Sequence, residues 1–184
     1  MEIHSREDLE RAIKDGWRAE FLFFWGHTAK TSEVGKHVLS QWWPASFTIE
    51  GDRYPTAEHY MMAEKARLFG DEDARLRILS APDPAAAKSL GRIVEDFDEQ
   101  LWVARRFEIV VRGNTAKFAQ NPELGEWLVG TGDKVLVEAS PRDTIWGIGL
   151  SGKDVRALDL RTWRGLNLLG FALMQARTEL RPRR

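Results

Sequence analysis

Gly51-Asp52-Arg53-Tyr54-Pro55-Thr56-Ala57-Glu58-His59-Tyr60-Met61-Met62-Ala63-Glu64-Lys65-Ala66 reads as a turn, a proline, a helix cap and a helix. Phe47-Thr48-Ile49-Glu50 precedes it, so Gly51-Asp52 turns a small hairpin into Arg53-Tyr54. Thr56 has the side chain of an N-cap, and Gly70 is placed to close the helix.

Outward from this segment the same devices recur. Asp71 opens a short helix reaching about Leu79. Asp83-Pro84 places a cap before a proline at the first helical position, opening a helix that ends near Gly91. Asp98 caps a long helix running to about Phe118, with Gly113 weakening its middle. Asn121-Pro122 repeats the cap and proline, and Gly130 closes that helix.

Upstream, Ser5 to Lys14 reads as a helix with Leu9 and Ile13 on one face, and Glu20 to Trp25 as a buried aromatic strand. Residues 26–35 are polar and loop-like. Downstream, Lys134 to Glu138 reads as a strand and Ser140 to Thr162 as loop-rich. Leu166, Leu169, Leu173 and Ala176 share one face of a final helix, and the Arg181–Arg184 tail is expected to fray. The fold expected is a helix-dominated α+β single domain over residues 1–184 with a small β-sheet. It lacks the βαβ alternation of a doubly wound fold.

The bulk numbers exclude several chemistries. No cysteine occurs among 184 residues, so disulfides, zinc thiolates and cysteine nucleophiles are absent. The formal charge of −1 gives no global case for binding nucleic acid. The opening residues lack the basic and apolar blocks of a secretory signal, and Phe21 to Trp25 is too short to span a bilayer, so a cytoplasmic protein is expected. The four histidines show no metal-ligand spacing, and neither a metal nor a cofactor is expected. Eight tryptophans stand out; most belong to a core and a few are candidate stacking platforms.

Glu58 and Lys65 are seven residues apart, so both leave one helix face about 10 Å apart along the axis. A carboxylate at a helix start is stabilised by the dipole and suits an electrostatic partner for an oxocarbenium-like state. Lys65 suits phosphate binding, proton donation or attack on an opened sugar. The alternative reading is an ordinary acidic helix start and an ordinary helical lysine. His59, Met61, Met62, Leu68 and Phe69 read as structural.

Gly147-Ile148-Gly149-Leu150-Ser151-Gly152 matches G-x-G-x-x-G, yet no helix follows directly, so it reads as a glycine-rich loop able to approach a phosphate. Glu138 and Asp143 flank Ser140-Pro141 and precede Trp146. That is either site geometry or a salt bridge with Arg142 or Arg156. Arg105, Arg106, Arg112 and Lys117 lie on the long helix as a solvated face, or, since Arg105 and Arg112 are seven apart, with one of those two pointing into a phosphate cleft.

Six segments in order resemble the NADAR, or YbiA-like, family. They are Phe23-Phe24-Trp25-Gly26, Ser40-Gln41-Trp42-Trp43-Pro44, Tyr54 through Ala66, Gly113-Asn114-Thr115-Ala116-Lys117-Phe118, Thr131 through Gly149, and Trp163-Arg164-Gly165-Leu166-Asn167-Leu168-Leu169-Gly170. The resemblance implies an N-glycosidase acting on a phosphorylated ribosylamine of the riboflavin-synthesis type, as damage control. Alternatives are removal of ADP-ribose from guanine in nucleic acid, or an ADP-ribose-binding module without turnover. It implies Glu58, Lys65 and Asp143 as catalytic, and Trp25, Trp42, Tyr60, Arg105, Lys117, Glu138, Trp146 and Gly147 as substrate-binding. Trp25 and Trp146 would stack on the base, and Arg105 and Lys117 would hold phosphate. Where many members carry Ser-Asn-Phe-Tyr, this chain has Ser40-Gln41-Trp42-Trp43.

Overall fold

The structure is a computed structural model describing residues 3–29 and 33–182. The end of the tail expected to fray, Arg183-Arg184, lies outside the described residues. Arg181 itself is anchored, its guanidinium donating to the Gly132 carbonyl and to Asp133. The fold is α+β, and the chain forms two compact units, one of residues 1–40 and 123–184 and one of residues 41–122.

The first unit holds α1 (Arg6–Lys14) and β1 (Phe21–Phe24) near its start. The second unit holds the hairpin β2 (Phe47–Ile49) and β3 (Asp52–Tyr54), then α2 (Ala57–Leu68), α3 (Glu72–Leu79), α4 (Pro84–Gly91) and α5 (Glu99–Gln120). The chain then returns to the first unit with α6 (Pro122–Gly130), β4 (Val135–Glu138) and α7 (Leu168–Leu180).

Local signals placed most of these elements. Ser5, Thr56, Asp71, Asp83 and Asp98 each accept a backbone N–H of the helix they begin. The hairpin turns at Glu50-Gly51, one residue before the expected Gly51-Asp52, because Asp52 already pairs with Ile49. Both turn residues take positive φ, +52° and +90°, as a tight two-residue turn requires. Asn121 does not cap α6 as expected. Its side-chain amide donates backwards, to the carbonyls of Lys117 and Ser46, and ends α5.

The small sheet expected is two separate pairs among the described residues. β1 pairs parallel with β4, Phe21 opposite Val135 and Phe24 opposite Glu138, while β2 and β3 pair antiparallel. Leu166 is not on the final helix and is 45% exposed. The helix begins after Asn167, which sits in the left-handed region at φ +55°.

In the second unit α2 is central. Its residues from Ala57 to Ala63 are all buried, so its first two turns have no solvent face. Gly113 marks its contact with α5: a Cβ there would collide with the Tyr60 ring. Gly91 does the same for α4, where a Cβ would collide with the Met62 side chain. These glycines are close-approach points, so the one in α5 costs helix propensity and gains packing.

Candidate active site

The N-terminal turn of α2 carries the first group of residues. Thr56 Oγ accepts the His59 N–H at 3.4 Å, and its hydroxyl lies 2.8 Å from His59 Nδ1. His59 Nε2 lies 3.1 Å from the Ala81 carbonyl, which only a ring N–H can satisfy. Nδ1 is therefore the acceptor and the Thr56 hydroxyl the donor. Burial lowers the His59 pKa, in keeping with that neutral tautomer. His59 is a buried brace, as its sequence reading had it.

Glu58 is 3% exposed, and its main-chain N–H donates to the Gln41 carbonyl at 3.0 Å. The Gln41 side chain meets Asn114 of α5, with Gln41 Nε2 donating to Asn114 Oδ1 at 3.0 Å. Asn114 also donates to the Val110 carbonyl at 2.8 Å. Tyr60 packs on Gly113, and further along α2 the residues Glu64 and Arg67 share a cleft with Arg105, Glu108 and Arg112. The two helices therefore run antiparallel. Lys117, one turn beyond Asn114, stands level with the start of α2.

Lys117 is fully buried, and burial pulls its pKa from 10.5 down to about 7. With such a pKa the amine is divided between charged and neutral forms near neutral pH, which suits it to proton transfer or nucleophilic attack and not to holding phosphate as a permanent cation. Sequence spacing alone does not reveal this, because the burial comes from packing rather than from helix periodicity.

Lys65 lies elsewhere. Its Nζ donates to the Gly91 carbonyl at 2.7 Å and sits 4.2 Å from the Phe97 ring centre and 5.8 Å from that of Trp102. Partial burial lowers its pKa. Arg105 is exposed beside Glu108, and twelve residues separate it from Lys117, about 18 Å along α5. The two cations expected to share a phosphate are not brought together. Tyr60 is 1% exposed, edge-on to Tyr54 at 5.0 Å between ring centres. With Arg105 it lines a cleft of about 510 Å³, and, two residues along α2 from Glu58, it points about 200° away from that carboxylate around the helix.

The second group lies on the first unit, at the C-terminal ends of β1 and β4. Trp25 follows β1 and is 66% exposed. Glu138 ends β4, its N–H donating to Asn167 Oδ1 at 2.9 Å while Asn167 Nδ2 donates to the Leu136 carbonyl at 2.9 Å. Gly147 lies against this strand end: a Cβ there would be 2.8 Å from the Glu138 carbonyl. Asp143 Oδ1 accepts the N–H groups of Ile145 and Trp146 at 2.9 and 2.8 Å. The carboxylate thus builds an Asx turn that sets the half-buried Trp146. The G-x-G-x-x-G letters form a loop with Gly149 at φ +68°, and no α-helix follows until α7.

These positions fall inside a match to the NADAR domain spanning residues 23–181. The chain belongs to the NADAR family. It is 42% identical over 165 residues to a protein of Acanthamoeba polyphaga mimivirus named N-glycosidase R617, covering 87% of this chain and 96% of that one. It is 33% identical over 138 residues to N-glycosidase YbiA of Escherichia coli, covering 75% and 76%. The NMR structure of that YbiA superposes with a TM-score of 0.71 at 26% identity, over 89% of this chain and 86% of the other. A Vibrio vulnificus protein named riboflavin biosynthesis protein VVA0006 is 34% identical over 142 residues, 77% of this chain and 35% of that one. The chain is an enzyme of the N-glycosidase class. No helix among the described residues is long and apolar enough to cross a membrane.

Proposed function

We propose that this N-glycosidase hydrolyses the bond between a nitrogen base and a ribose carrying phosphate, with a ribosylaminopyrimidine phosphate of the riboflavin-synthesis type as substrate. The observation that carries the reading is the buried Glu58 carboxylate at the start of α2, with its backbone fixed by Gln41. In this reading the carbon–nitrogen bond breaks with its electron pair leaving on the base. Glu58 stabilises the positive charge developing on the anomeric carbon and takes a proton from the water that attacks it.

Lys117, rather than Lys65, carries the amine chemistry in this proposal. Both amines meet an aromatic ring, Lys65 that of Phe97 and Lys117 that of Phe118, but Lys117 is the fully buried one, with a pKa near 7. A proton donor to the departing base needs a pKa near working pH, and Lys117 has one. Stacking roles for Trp25 and Trp146 rest on the family motifs and on the exposure of Trp25. Asp143 acts by holding Trp146 in place. The name of the Vibrio vulnificus relative favours the riboflavin-type substrate.

The test is a product assay by mass spectrometry on a ribosylaminouracil phosphate and, separately, on guanine-ADP-ribosylated DNA, with Glu58→Gln and Lys117→Met controls. Free base and ribose 5-phosphate from the first substrate alone, lost in both variants, is the expected result. ADP-ribose from the second alone would move the substrate to modified nucleic acid. Full activity in Glu58→Gln would falsify the role of the carboxylate.

A further inference from the structure

The substrate read above carries a phosphate, and neither cation assigned to it by sequence is placed for the task. Lys117 is buried with a depressed pKa, and Arg105 stands on the opposite side of α2 beside Glu108. The second unit offers another cation. Lys88 of α4 places its Nζ 5.9 Å from the ring centre of Trp42. Among the described residues Lys88 forms no ion pair and no side-chain hydrogen bond, and its ammonium faces the indole of Trp42.

Two helix contacts fix where that ammonium lies. The Ala81 carbonyl, just before α4, reaches His59, while the end of α4 packs Gly91 on Met62 and offers the Gly91 carbonyl to Lys65. Helices α2 and α4 therefore run in the same direction. Moving one turn back from the Met62–Gly91 contact reaches Glu58 on α2 and Lys88 on α4. Glu58 and Met62 share a helix face, being four residues apart. Trp42 provides an independent fix, because it follows Gln41, whose carbonyl accepts the Glu58 N–H. Lys88, Trp42 and Glu58 thus sit at one end of the second unit, the cation at the half-buried margin and the carboxylate inside.

We propose that Lys88, held over the Trp42 ring, binds the phosphate on the 5-oxygen of the ribose whose anomeric carbon is presented to Glu58. This deepens the N-glycosidase reading and rests on it for the orientation of the sugar. The chemistry is shared by a phosphate monoester and by the diphosphate of an ADP-ribosyl group. A lysine ammonium is a compact charge on a flexible stem, suited to either. The indole limits the directions that stem explores and leaves one face of the cation for the ligand.

The test uses binding as well as turnover. Ribose 5-phosphate, ADP-ribose and unphosphorylated ribose are titrated by calorimetry into the wild-type protein, Lys88→Met, Lys88→Arg and Trp42→Leu. The expected result is binding of a phosphorylated ligand by the wild type, about tenfold weaker in Lys88→Met, largely restored in Lys88→Arg, with ribose itself unaffected. In turnover assays the same variant raises KM for the phosphorylated glycoside far more than it lowers kcat. Equal affinity of wild type and Lys88→Met for the phosphorylated ligands overturns the proposal, as does failure of the wild type to bind any of them. Lys88-dependent binding without release of base from any glycoside would sink the hydrolase reading and leave this site standing.

Discussion

Gln41 and Asn114 join their side-chain amides, with 3.0 Å from Gln41 Nε2 to Asn114 Oδ1 and 3.4 Å for the return bond. Both residues are buried, and Gln41 also holds the amide of Glu58. The length of the glutamine side chain lets it reach α5. Asn114→Ala strands a buried Gln41 amide and costs about 1–3 kcal/mol of stability. It also lowers kcat for base release, because the backbone beneath Glu58 loses its support. Urea unfolding and steady-state kinetics on the same preparation check both.

Burial of Lys117 gives a pH signature. Its folded pKa is near 7 against an ordinary 10.5, so between those values the unfolded chain holds a proton that the native chain does not. Its contribution to stability is therefore most favourable above pH 10.5 and is lost as pH falls toward 7. Lys117→Met removes that penalty. The variant is expected to be more stable than wild type at pH 7, with the gap closing as pH rises toward 10, and to have lost activity. Urea midpoints across that range decide it, and a gap independent of pH would contradict the assignment.

Gly113→Ala sets two known effects against each other. Alanine favours a helix interior by up to about 1 kcal/mol, but its Cβ collides with the Tyr60 ring, and overpacking costs roughly 1–3 kcal/mol. Tyr60 is enclosed by Phe47 and Tyr54 and has little room to yield, so the variant is expected to be less stable. A melting temperature at or above the wild-type value would show that the α2–α5 contact relaxes.

Asp143 separates shape from chemistry through a pair of substitutions. Its Oδ1 accepts two backbone amides, a role that asparagine reproduces and alanine does not. Asp143→Asn is expected to keep most activity, and Asp143→Ala to lose it together with the ordered fluorescence of Trp146. Loss of activity in both, with the fold intact, would return the carboxylate to the reaction itself.

The legible parts of this chain were local. Caps at Ser5, Thr56, Asp71, Asp83 and Asp98 and the hairpin turn depend on neighbours within a few residues, and the sequence displays those neighbours. What stayed hidden depends on distant partners. Arg177 of the last helix is 4% exposed and donates to Thr131 and the Lys134 carbonyl, partners 46 and 43 residues away in sequence. Asn167 falls within the helix expected from Leu166 onward, yet it precedes that helix and bridges two positions of β4. Lys65 and Lys117 look alike in a helix pattern, and only packing separates an amine on a carbonyl from one sealed in the core.

The parallel pairing of β1 with β4 has a consequence for how the chain acquires its structure. Residues 21–24 meet residues 135–138, and the whole of the second unit lies in the sequence between them. Closing so long a loop carries an entropic cost that must be met before the strands reward it. On a ribosome, residues 41–122 emerge complete while β1 still waits for its partner. The helices around Glu58 therefore have time to settle first, and the ends of the chain close last.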